Sequence, residues 1–186
     1  MAAHFDLNVI VVGADKFTPA QRQQVNDSIQ VMTSIYAPLG PTVGTVNRFS
    51  ISTANSKGLH IIVDVADAEK LADLFSVTAN EAIDLFVVAN LVLADGWSPR
   101  PGKCPKLIRK NLRSPVVSLN GTKANSGNTF AHEIGHFLGL PHAEDDSSLV
   151  GAALVASNFM RHDSGTNTSM TQAQSDKMRT HCTIRF

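Results

Sequence analysis

Residues 132 to 142 read His-Glu-Ile-Gly-His-Phe-Leu-Gly-Leu-Pro-His, which sets His132, Glu133, His136, Gly139 and His142 in the pattern H-E-x-x-H-x-x-G-x-x-H. Residues four apart share one face of a helix, so His132 and His136 can turn their imidazoles toward a single ion. Ring nitrogens reach zinc (Zn2+) at about 2.0–2.1 Å, and a catalytic zinc keeps three protein ligands and one open position. A third ligand on the same straight helix would point away, so the chain must turn sharply before it. Gly139 permits a positive φ, Pro141 cannot continue the helix, and His142 then returns beneath the metal as the third ligand. Glu133, next to a ligand yet displaced around the helix, is the candidate general base and acid. Five fixed positions would match this composition by chance with a probability on the order of 10⁻⁵. The chemistry is hydrolysis by a metal-activated water, and the competing reading is a histidine-rich helix end with satisfied core imidazoles.

Other elements must hold this segment in place. Asn128 offers an N-cap for a helix beginning near Thr129. Leu7 to Val12, ending at Gly13, is a β-branched run that reads as a buried strand. Thr18, Pro19 and Gln21 form a capping box with proline at the first helical position. The helix they open runs to about Ala37, with Val25, Ile29, Met32 and Tyr36 along one stripe. Val43 to Ser52 and Leu59 to Val65 read as strands, Asp67 to Phe75 as a short helix, Asp84 to Leu93 as the most apolar strand, and Val116 to Leu119 as the last strand before the histidines. Strands, a backing helix, more strands and then helices describe an α+β or mixed α/β domain.

The eleven-residue pattern is also the zinc signature of the metzincin clan of metallopeptidases, which this chain resembles. Ser157-Asn158-Phe159-Met160 follows where metzincins carry the methionine of their Met-turn, 18 residues after the third histidine. Thr171, Gln174 and Met178 look like the start of the clan's C-terminal helix, and Thr171 with Gln174 is independently a capping box. The resemblance implies a twisted, mostly parallel five-stranded sheet with a backing helix and the active-site helix, followed by a small irregular C-terminal subdomain. Residues 1–186 would then be one catalytic domain, with a sheet subdomain over 1–142 and a C-terminal subdomain over 143–186. It further implies zinc-dependent endopeptidase activity on a peptide or protein substrate, His132, His136 and His142 as ligands, Glu133 as base and acid, and Gly139 and Met160 as structural residues. The substrate would bind as an added strand along the stretch Gly96, Trp97, Ser98 and Pro99, with Val116 to Leu119 as the competing edge, and the S1′ wall would follow Met160.

The chain departs from the clan's patterns at two places. Several metzincin families have tyrosine two residues after the Met-turn methionine, whereas His162 stands there. It would steady the oxyanion or contact zinc, against the plain reading of a surface histidine. Ala143 after the third histidine matches no subfamily marker, so the subfamily is open, with a general similarity to pappalysin-like and other bacterial-type metzincins. Asp145 and Asp146 read as a solvated acidic turn, with calcium binding or orientation of a ligand histidine as the alternatives.

Charge and composition exclude other classes of function. Lysine plus arginine and aspartate plus glutamate each count 16, so no net field recruits nucleic acid or an anionic membrane. The longest apolar run, Leu85 to Ala94, is half a membrane span. The expected protein is a monomer with no nucleic-acid or membrane partner. No signal peptide shows at the N-terminus, and a processed or excised extracellular domain is the favoured setting. Cys104 and Cys182 have one possible pairing, with two free thiols as the equal alternative. A catalytically silent or partner-regulated zinc-containing peptide-binding module is the rival function, and an intact Glu133 argues against the silent form.

Overall fold

The computed structural model describes residues 2–92, 94–104, 106, 113–119, 121–163 and 165–186. β1 (His4–Val12) leads through a short 3-10 turn into α1 (Pro19–Tyr36). Thr18 caps α1 with the full capping box to Gln21, as the sequence predicts. The chain continues through β2 (Thr42–Ile51), β3 (Ile61–Ile62), α2 (Val65–Phe75), β4 (Ile83–Val88), β5 (Asn90–Leu91), β6 (Gly96–Trp97), β7 (Val116–Ser118), α3 (Lys123–Phe137), α4 (Ser147–Val150) and α5 (Gln172–Arg179).

Five strands form a mixed, mostly parallel sheet in the order β2-β1-β4-β7-β6. β1 runs parallel to both β2 and β4, β4 parallel to β7, and only β6, at the edge, is antiparallel. All six residues of β4 are buried, as a central strand covered on both faces requires. Its Ile83, Leu85 and Val87 face a core shared with α1 and α3, whereas Phe86 and Val88 face a second core under α2. The one charge in β4, Asp84, accepts from Lys106 Nζ and Asn8 Nδ2, both at 2.7 Å, which compensates its removal from water.

Three sequence expectations change. Of Leu59 to Val65, only Ile61 and Ile62 form a strand, and it pairs with β5 in a separate two-stranded sheet. The rest is lost because Asp64 accepts a hydrogen bond from the Asp67 N–H and starts α2 at Val65. The Asp84 to Leu93 strand stops at Val88, and Asn90–Leu91 leaves for the second sheet, with Leu93 itself outside the described residues. The helix expected near Thr129 begins at Lys123, capped by Thr122, so Asn128 is buried inside it and is not its cap. Packing against α1 overrides the polar run that reads as a loop. Gly127 lies so close to Val31 that a Cβ there would come within 2.5 Å of it.

The chain end returns to its start, where His4 and Arg185 exchange backbone hydrogen bonds of 2.9 and 2.8 Å. Phe159, Met160, Met178 and Ile184 join the same core as β1, α1 and α3. Cys104 and Cys182 are paired, with Cα atoms 6.3 Å apart. Among the described residues no helix is long and apolar enough to cross a membrane.

The bridge closes a loop of 78 residues, worth up to about 4.5 kcal/mol by chain entropy. Replacing both cysteines by serine is expected to lower unfolding free energy by about 2–4.5 kcal/mol in urea titrations. Identical curves with and without a dithiol reductant would show that the thiols are not paired.

Candidate active site

α3 carries His132, Glu133 and His136 in its last turns and ends at Phe137, with Leu138 as its C-cap. Gly139 takes φ +98°, the left-handed conformation that glycine adopts without penalty. The Leu140 N–H bonds back to the Gly135 carbonyl at 2.9 Å, closing the helix end, and Pro141 carries the chain on to His142. The turn thus does what the sequence spacing requires of it.

The three imidazoles converge. His132 Nδ1 lies 2.9 Å from the Phe159 carbonyl oxygen, and His136 Nδ1 lies 2.8 Å from that of Leu140. A carbonyl can only accept, so in the neutral rings both Nδ1 atoms carry the proton and both Nε2 atoms are bare. Burial disfavours the imidazolium form, lowering the pKa of His132 to about 4 and that of His136 to about 3, so both rings are neutral at pH 7. His142 is shifted down in the same direction by burial, then by the neighbouring His162.

His136 Nε2 lies 3.1 Å from His142 Nε2. Two nitrogens bound tetrahedrally to one zinc lie roughly 3.3 Å apart, from the bond lengths alone. The donor set, three imidazoles whose ligating nitrogens all fall within 4.8 Å of one another, fits a single borderline-soft ion.

Met160 is fully buried beneath this helix. A side chain at Gly135 would meet its Sδ at 2.5 Å, so the close approach depends on glycine there. The Met160 carbonyl accepts from the Ala143 N–H at 2.8 Å, which ties the residue after His142 to the methionine turn. Asn158 accepts from the Met160 N–H and exchanges amide hydrogen bonds of 2.9 and 3.0 Å with Gln174 of α5. Gln174 therefore caps its own helix and secures the turn at the same time.

Glu133 is 6% exposed, and burial alone pushes its pKa up to about 8. A Cβ on Gly96 would fall 2.6 Å from the Glu133 side chain, so β6 passes directly over the carboxyl. A cleft of about 620 Å³ opens here, lined by Gly96, Trp97 and Ser98, by Glu133 and the three histidines, and by His162. β6 is the outer strand and β7 lies inside it, so of the two competing stretches Gly96–Trp97 is the edge. The His162 ring stacks on His142 with centroids 3.7 Å apart, at the rim of the triad.

Sequence reasoning missed Asn125 and Thr129, which line the cleft from α3, and it named no residue of the stretch after Met160, where Asp163 and Gly165 line it. A helix period extended back from His132 reaches Thr129 and Asn125 at steps of three and four, a signal hidden by starting the helix too late. The carbonyls of Phe159 and Leu140 leave no mark in side-chain types.

No protein family model and no curated protein matches the chain. Among solved structures it is similar to archaemetzincin from Methanopyrus kandleri, at 18% identity and TM-score 0.56 over 95% of this chain and 94% of that one. The chain has the archaemetzincin-like fold. It also resembles metalloproteinase-II from Bacteroides fragilis, at 13% identity and TM-score 0.57, and spans about half of that chain's length, 52%, with 95% of its own. The mixed α/β architecture with its mostly parallel five-stranded sheet is that of the archaemetzincin neighbour, and at these identities the likeness speaks for the fold.

The site should give the metal-free protein a stability maximum near pH 6.5. Below the unfolded histidine value of 6.5, the unfolded chain binds protons that His132 and His136 refuse until about pH 4 and 3, so stability falls on acidification. Between 4.5 and about 8, folded Glu133 holds a proton that the unfolded chain has released, so stability falls as pH rises. Below pH 6.5 the histidines outweigh the one carboxyl, since burial shifts His142 and His181 down as well, and above it Glu133 progressively dominates as the unfolded histidines lose their protons, each group at up to about 1.4 kcal/mol per pH unit. Urea unfolding in chelator across pH 4.5–8 reads this directly. Glu133→Gln should flatten the alkaline side, and a wild type that gains stability from pH 6.5 to 8 would contradict the assignment.

Proposed function

We propose that this protein is a zinc-dependent endopeptidase of the metzincin type. The observation that carries the reading is the convergence of three histidine Nε2 atoms, two of them held bare by backbone carbonyls, beside a buried carboxyl under a sheet edge. His132, His136 and His142 would hold zinc, and the bound ion would supply a Lewis acid for the scissile carbonyl and a water acidic enough to attack near neutral pH.

Glu133 is the proton carrier. Its carboxyl lines the cleft with the histidines and lies against β6. Burial raises its proton affinity, so the carboxylate, once it has taken a proton, can hold it until the leaving amine needs it. It accepts a proton from the attacking water and delivers it to the leaving amine, the two halves of one acid–base cycle. The outer edge of β6 offers backbone groups to an extended peptide, which would pair as a further strand and lay its scissile bond across the triad. Gly96 brings that strand against the carboxyl without a side chain between them. His162, stacked over His142, donates a hydrogen bond to the oxygen that gains charge in the transition state. Asp163 and Gly165 would wall the pocket for the residue after the cut.

Incubating the zinc-loaded protein with an unfolded protein and a mixed peptide pool, with mass spectrometry of the products, tests this. Internal cuts abolished by chelation and restored by zinc are expected, and Glu133→Ala should reduce them by about 10²–10⁴-fold while keeping one zinc per chain. Absence of cuts from a wild type that binds zinc would refute peptidase action in favour of a binding module. Equal cutting by Glu133→Ala would remove Glu133 from the mechanism.

A further inference from the structure

The ligating nitrogens of the three histidines fall within 4.8 Å of one another, but the other ring nitrogens are held differently. His132 and His136 are buried, at 6% and 8% exposure, and rest on backbone carbonyls that no side-chain substitution removes. The His142 side chain is 25% exposed, and the group facing its Nδ1 is the carboxylate of Asp145, with Oδ2 at 3.5 Å. Asp145 closes on His142 twice, because its backbone N–H also donates to the His142 carbonyl at 3.1 Å. Its other oxygen, Oδ1, lies 3.7 Å from Nε2 of His162, and Arg100 Nη1 stands 4.0 Å from Oδ2. One carboxylate therefore spans the third triad histidine and the ring stacked on it.

We propose that Asp145 is the positioning residue of the third metal ligand, holding His142 through Nδ1 so that Nε2 stays on the triad. The inference rests on the zinc reading above. With Nε2 of His142 committed to an ion, Nδ1 carries the ring proton, and the carboxylate is the acceptor that faces it. An anionic acceptor fixes the ring's orientation and strengthens it as a donor to the metal, and loss of such a partner typically costs 10–100-fold in metal affinity. The partly exposed ring is the one that needs this, since packing already immobilises the other two.

The test is zinc affinity by chelator competition on the full chain for the wild type, Asp145→Ala, Asp145→Asn, Asp145→Glu and Asp146→Ala, alongside the visible absorption of the cobalt-substituted proteins. Asp145→Ala is expected to weaken zinc 10–100-fold and to change the cobalt bands, Asp145→Asn to fall between it and the wild type, and Asp145→Glu to recover part of the loss. Melting temperatures of the metal-free variants should match the wild type, since Asp145 is exposed. Asp146 bonds to Ser148 and removes the same charge one residue away, so Asp146→Ala should leave affinity unchanged. Wild-type affinity in both Asp145→Ala and Asp145→Asn, or an equal loss in Asp146→Ala, overturns the positioning role. A wild type that fails to bind zinc overturns the triad reading itself and this inference with it.

Discussion

A neutral imidazole can offer a bare nitrogen to a metal only if its other nitrogen gives its proton to something fixed. That constraint is met twice in this protein by backbone, through the carbonyls of Phe159 and Leu140. The turn after Gly139 serves two purposes because of it. It brings His142 round, and it places the Leu140 carbonyl under His136. The methionine turn does the same for His132, because the carbonyl His132 needs belongs to Phe159. The position of Met160 is thus set by the same few atoms that orient the first histidine.

Fixing a carbonyl to a fraction of an ångström requires that its own segment cannot drift, and the C-terminal part of the fold supplies this. The reciprocal amide pair between Asn158 and Gln174 is buried and fully engaged, and Gln174 is itself held by its place in the α5 capping box. Glycines then let the layers close. Gly135 admits the Met160 sulfur and Gly127 admits Val31 of α1, so the histidine helix is clamped from below and from behind. Tyr36 adds a hydrogen bond from its hydroxyl to the Ala131 carbonyl at 2.8 Å, anchoring α3 one residue before His132. The distant first helix thereby bears on the site without contributing a group to it.

The parts of this arrangement that depend on side-chain type and local spacing were legible in the sequence: the capping boxes at Thr18 and Thr171, the i, i+4 histidines, the turn at Gly139 and the buried strands β1 and β4. The parts that depend on tertiary contact were not. α3 begins six residues earlier than the sequence suggests because Asn125, Ser126, Gly127 and Asn128 are poor helix formers alone and become helical by packing on α1. The strand read at Leu59 to Val65 shrinks because a local cap at Asp64 outcompetes β pairing beyond Ile62. Asp145 reads as a solvated acidic turn until the three-residue turn folds its carboxylate back on His142.

Edge strands invite pairing, and proteins usually keep them short or cover them. β6 is two residues long, which limits promiscuous association, yet one of those residues is Gly96, where the absent side chain lets the strand pass over Glu133. A larger residue there would push the strand and the carboxyl apart. On the proposed function, substrate pairing and proton transfer would then lose their common reference, because the backbone proposed to align a peptide also passes over the Glu133 carboxyl. Glu133 in turn owes its raised pKa to burial, and β6 is part of what buries it. On the proposed function, a peptide bound along this edge would dry the carboxyl further and strengthen its hold on a proton taken from the attacking water until the leaving amine receives it. On that proposal the edge would be both the docking surface and one wall of the acid–base site.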